Sequence, residues 1–122
     1  MRFIQDPGSN VNIIRGYGPA GLKINEATHQ GSVILTASAV RLEPTLRSVA
    51  DLDANHVTRL LALEPELVLV GTGARQIFPD PAFGAAFLRA GVGFEVMDTG
   101  AACRTFNVLV NEHRRVAAVL LA

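Results

Sequence analysis

Cysteine, tryptophan and net charge are what this chain has least of. There is one cysteine and no tryptophan in 122 residues, and 11 Lys and Arg balance 11 Asp and Glu. A lone cysteine excludes a disulfide within the chain and suits a reducing compartment. A balanced charge offers no field to gather nucleic acid or an anionic membrane. No run approaches the roughly 18 apolar residues of a membrane span. The opening Met1-Arg2-Phe3-Ile4-Gln5-Asp6-Pro7-Gly8 lacks the apolar stretch of a secretory leader. These absences lead to the expectation of a cytoplasmic protein with no membrane insertion and no nucleic-acid partner.

What is present describes a folded chain. Hydrophobic residues make up 49% and charged ones 18%, the balance of a globular protein rather than a disordered one. The length suits a single domain, 1–122, whose core needs neither disulfide nor metal. Up to about Val49, short apolar groups alternate with turn residues: Val11 to Arg15, Gly16-Tyr17-Gly18-Pro19-Ala20-Gly21, Leu22 to Ile24, then Ser32 to Thr36 after His29-Gln30-Gly31. That texture predicts antiparallel strands and hairpins, with one or two more strands over Ala39 to Val49, broken by Pro44.

From residue 51 the pattern becomes helix and strand in alternation. Asp53 or Asn55 caps a helix carrying Val57, Leu60 and Leu61, which Pro65 stops. Leu67-Val68-Leu69-Val70 reads as a strand covered on both faces. Asp80-Pro81 starts a second helix with Phe83, Ala86, Phe87 and Ala90 on one stripe, closed by Gly91 in a left-handed conformation. Phe94 to Met97 is the next strand, about Ala101 to His113 the last helix, and Val116 to Leu121 a final buried strand. A β-α-β-α-β run predicts parallel pairing with right-handed crossovers. The expected class is therefore α/β: a three-layer fold with a mixed central sheet, flanking helices and a small antiparallel β layer from the N-terminal half.

Two strand-to-helix junctions carry the residues of interest. Gly71-Thr72-Gly73 follows one parallel strand and Asp98-Thr99-Gly100 another, so both belong at the carboxyl edge of the sheet, where open α/β folds keep ligands. The glycines suit either a phosphate cradle or a tight turn leaving a buried strand. The third glycine of a dinucleotide fingerprint and the lysine of a phosphate loop are both missing, so no cofactor is expected. Asp98 or Thr99 suits a helix cap or a ligand contact. Cys103 is placed in the first turn of the last helix, beside Arg104, where amides and dipole favour a thiolate; it also borders an apolar stripe where a cysteine simply packs. Asn107, one turn on, suits a ligand contact or a bond to a neighbouring loop.

A cysteine nucleophile needs a base. His113 lies about 15 Å along the same helix, and nothing in the sequence brings His29 or His56 to Cys103. One cysteine and three scattered histidines show no metal-ligand spacing either. At the helix end, Arg114 and Arg115 complement its dipole and Glu112 suits a local pair, so the three read as a solvated face, one that also leaves a surface for a protein partner to grip.

Several stretches in order carry a resemblance: Leu67 to Gly73, Glu95-Val96-Met97-Asp98-Thr99, Ala101 to Leu109, and Glu112 to Ala118, with the early Gly16-Tyr17-Gly18 and Gly31-Ser32-Val33. Together they resemble a small family of domains of unknown function, widespread in bacteria and archaea. Its eukaryotic relatives include a mitochondrial assembly factor of respiratory complex I and an adipogenesis-associated protein. The resemblance implies a three-layer fold around a mixed sheet. His113 stands where such relatives commonly have glycine, so no role for that turn carries over.

Three readings of function follow. The first is a binding or assembly module with a protein partner and no turnover of its own. The second is a binder of a small anionic metabolite at the 71–73/98–103 cleft. The third is a thiol-dependent enzyme or redox sensor using Cys103. The resemblance favours the first, and the missing base weighs against the third. The candidate contact residues are Gly71, Thr72, Gly73, Asp98, Thr99, Cys103, Arg104 and Asn107.

Overall fold

The computed structural model describes residues 11–122; the opening stretch Met1 to Gly8, where no secretory leader is expected, lies outside the described residues. Three short strands come first: β1 (Ile14–Gly18), β2 (Gly21–Ile24) and β3 (Ala27–His29), paired antiparallel in that order. The main sheet holds β4 (Ser32–Leu35), β5 (Val40–Glu43), β6 (Leu67–Gly71), β7 (Gly93–Met97) and β8 (Val116–Leu120), in the order β5-β4-β8-β6-β7. Strands β6, β7 and β8 run parallel, while β4 is antiparallel to β8 and to β5.

The helices are α1 (Ala54–Leu61), α2 (Pro81–Arg89) and α3 (Thr99–Asn111). The chain steps outward from β6 to β7 through α2, then back past β6 to β8 through α3. With crossovers of one hand, those opposite steps put α2 and α3 on opposite faces. Burial bears this out. Leu69, Ala118 and Leu120 pack with α3 and with Ile14, Leu22 and Ile24 of the small sheet. Val68, Val70 and Val119 pack with Leu60 of α1 and Phe83 and Phe87 of α2. The third layer is therefore composite, α3 and the three-stranded sheet side by side.

Local signals set most boundaries. Asp53 Oδ1 accepts from the amides of Asn55 and His56, and Asp80 Oδ1 from that of Ala82, so both act as caps. Helix α2 ends on Gly91 at φ +78, with the Val92 amide reaching back to Phe87 O. Phe87 and Phe94 stack with centroids 5.5 Å apart, and Phe83 meets both edge-on. Glu43, buried at the end of β5, takes both amino groups of Arg59 and ties the sheet edge to α1.

Three expectations shift. Gly16-Tyr17-Gly18 is strand rather than turn, because β1 bulges between Ile14 and Gly16 and continues along β2 to Gly18; the turn itself is Pro19-Ala20. Strand β3 was not anticipated, being three residues with Ala27 and Thr28 exposed and no apolar alternation to reveal it. Helix α3 begins at Thr99, not near Ala101, because Asp98 caps it by accepting from the Ala101 amide at 2.8 Å.

Candidate functional site

Both junctions lie at one sheet edge, and hydrogen bonds stitch them together. The Thr72 amide donates to Met97 O at 2.9 Å, and the Thr99 amide to Gly73 O at 2.9 Å. The fully buried Thr99 hydroxyl accepts from the Gly73 amide and donates to Leu121 O, each at 2.7 Å. A Cβ on Gly71 would sit 3.0 Å from both Ala102 Cβ and Thr99 Cα, so α3 rests against a bare strand backbone. The Thr72 hydroxyl donates to Arg75 O and accepts from the Ile77 amide. Amides that a phosphate cradle requires are thus already paired at Thr72 and Gly73. The expected convergence is real, and the side chain of Thr99 fills it.

Cys103 lies in the second turn of α3 rather than the first, because the helix starts at Thr99. It is buried against the apolar stripe of Ala102, Phe106 and Val110. Burial pushes its thiol up to about 11; Arg104 pulls the other way and Asp98 adds to the rise. A thiol titrating there is protonated near neutrality, which removes the nucleophile the first-turn placement suggested. The His56 ring, on α1, belongs to the opposite face of the sheet, where its Nδ1 accepts from the Asp53 amide.

Asn107 is a clamp. Its Oδ1 accepts from the Ile14 amide at 2.9 Å and its Nδ2 donates to Ile14 O at 2.8 Å, so it stands in for a missing strand partner of β1. The sequence left a ligand contact and a structural bond open; the geometry is that of the structural bond. A hint was present, since asparagine in mid-helix competes with the helical backbone and usually has other business. Exposed Arg104 lines a shallow groove of about 330 Å³ with Arg15, Tyr17, Gly100 and Cys103, between β1 and α3. Of the eight candidate residues, only Cys103, Arg104 and Asn107 line that groove.

Sequence reading missed the loop beyond Gly73. Ile77 and Phe78 stand in water there, Phe78 with 71% of its surface exposed. Nothing in local sequence separates this pair from core residues, because both are apolar and lie between strand and helix. Among the described residues no helix is long and apolar enough to cross a membrane, and no three His, Cys, Asp or Glu side chains gather as a metal ion needs.

Known proteins resemble this chain in fold or in sequence. A crystal structure of a Bordetella parapertussis protein superposes with a TM-score of 0.83 at 35% identity, covering 94% of this chain and 98% of that one. NADH dehydrogenase [ubiquinone] 1 alpha subcomplex assembly factor 3 of Danio rerio is 32% identical over 123 residues, 99% of this chain and 70% of its own length. A 13 kDa major membrane protein of Francisella tularensis is 32% identical over 101 residues, 82% of this chain and 80% of its own. The model of a family described as proteins of unknown function (DUF498/DUF598) matches residues 14–121, from the first strand to the end of the last, and the chain belongs to that family.

Proposed function

We propose that this protein is a binding module that takes part in assembling a larger protein complex, without a reaction of its own. The observation that carries this reading is kinship along essentially the whole chain, 99% of it, with complex I assembly factor 3. Site chemistry agrees in direction. The thiol of Cys103 is held protonated, Asn107 and Thr99 spend their polar atoms on the fold, and the junction amides of Thr72 and Gly73 are paired within the protein. A small anion at the 71–73/98–103 edge would have to displace those internal bonds, so the edge favours that reading less.

The test is native-level expression of the tagged chain with crosslinking, followed by sizing of whole-cell extract. Comigration with a partner well above the 13.0 kDa of the chain is the expected result. If purified protein turned over a metabolite or thioester, and Cys103→Ala abolished that turnover while keeping the fold, the assembly reading would give way to the enzyme.

A further inference from the structure

We infer that the loop between β6 and α2 is the docking element, with Ile77 and Phe78 entering an apolar socket of a partner protein and Arg75 meeting a carboxylate on its rim. This rests on the assembly reading above. Exposed apolar side chains occur singly on most surfaces and need no explanation. Among the described residues, Ile77 and Phe78 are the only large apolar side chains both exposed and adjacent in the chain; Ile13, Tyr17, Leu42, Leu88 and Val108 stand singly along it.

The loop is also braced. Thr72 Oγ1 holds the Ile77 amide at 3.0 Å, and Gln76 Nε2 donates to Val96 O of β7 at 2.9 Å. Pro79 is buried, and Asp80 is fixed as the cap of α2. Hydrogen bonds on either side therefore fix the backbone that carries the pair, and both side chains stand in water. An aromatic on a braced backbone, with an arginine three residues before it, has the composition of an interface hot spot, because little backbone entropy remains to be lost on binding. Arg75 is exposed and has no carboxylate within ion-pair distance among the described residues, so its charge is free to meet one on a partner. A bilayer surface is the weaker occupant. It requires no fixed geometry, and it draws proteins by wider apolar area and net positive charge, whereas this chain has a net charge of zero.

The probe is benzoylphenylalanine placed at position 78 of the full chain in cells, with the same group at position 88 as a control on exposed α2 surface. Irradiation is expected to give one protein adduct from 78 and none of that species from 88. With that protein purified, Phe78→Ser and Arg75→Glu each lower affinity at least tenfold, and Leu88→Ser does not. Replacing the facing carboxylate of the partner by lysine recovers binding to Arg75→Glu. Equal melting temperatures for the variants establish that the loop changed and the fold did not.

A partner that crosslinks from 88, or binds Phe78→Ser and Arg75→Glu undiminished, overturns the docking surface and leaves the assembly reading standing. Crosslinking to a second copy of this chain also overturns it, as does Phe78-dependent sedimentation with 3:1 phosphatidylcholine–phosphatidylglycerol vesicles. No protein adduct from either position, together with migration at the chain's own mass, removes the assembly reading as well.

Discussion

The two faces of the central sheet are held by different physics. On the α1/α2 face, Phe83, Phe87 and Phe94 interlock, and apolar packing supplies the cohesion. On the α3 face a helix and a three-stranded sheet share the cover, and β1 meets α3 where a strand would find its next partner. Ile14 then has an amide and a carbonyl to satisfy, and Asn107 satisfies both. A helix brings its backbone bonds with it, so burying one needs only apolar side chains. A strand laid against a helix leaves polar groups that only a side chain can reach.

The sharpest break of this comparison is on the aromatic face. Phe87→Ala removes the fully buried ring of the trio and is expected to cost about 3–5 kcal/mol of unfolding free energy in urea titration. A loss under about 1 kcal/mol would show the face to be loosely packed. On the other face, Asn107→Leu keeps side-chain bulk but orphans the Ile14 amide and carbonyl, for about 2–4 kcal/mol, the lower part of the roughly 2–6 that two polar groups at about 1–3 each would cost, since both bonds are only part-buried. Hydrogen exchange should then quicken in β1 and β2 before it quickens in β6. Uniform quickening would mean that the clamp does not act locally.

Cys103 sharpens the comparison through pH. Its thiol titrates at about 11 in the fold against 9.0 unperturbed, so the fold favours the protonated form. The unfolded chain releases its proton first as pH rises, and stability falls between those values. The contribution is whole below pH 9, and about 2–3 kcal/mol is lost by pH 11. Cys103→Ser should remove that alkaline limb while costing about 1–2 kcal/mol near neutrality, within the ordinary range for a buried substitution. An unchanged limb would assign the loss to other groups.

The smallest effect compares the helix ends. Gly91 closes α2 at φ +78, and His113 closes α3 at φ +62, each followed by an amide reaching back to the last full turn. A side chain is strained in that conformation, so His113→Gly should raise stability by about 0.5–1 kcal/mol, and Gly91→Ala should lower it by a similar amount. A destabilised His113→Gly would reveal a contact of the imidazole that offsets its strain.

Where residues speak through local rules, the sequence was legible. Asp53, Asp80 and Asp98 capped their helices, Gly91 ended α2, and the run Leu67 to Val70 became a strand buried on both faces. The candidate site was legible only in part. The convergence of Gly71 to Gly73 on Thr99 followed from parallel strand order. Its closure did not, since that depends on Thr99 reaching Leu121 O and Gly73 N, set by how closely α3 lies on the strand.

By itself the sequence determined the parallel β-α-β-α-β half, because periodicity, caps and turns act over a few residues, and its motifs in order marked the family. Tertiary structure alone decided what the same residue types are used for. It turned Asn107 into a partner for a strand 93 positions away, and it buried Cys103 until its thiol lost its acidity. It also left Phe78 in water while Phe83 and Phe87 were enclosed. Burial and long-range hydrogen bonding depend on which surfaces meet, and no local pattern in the chain records that.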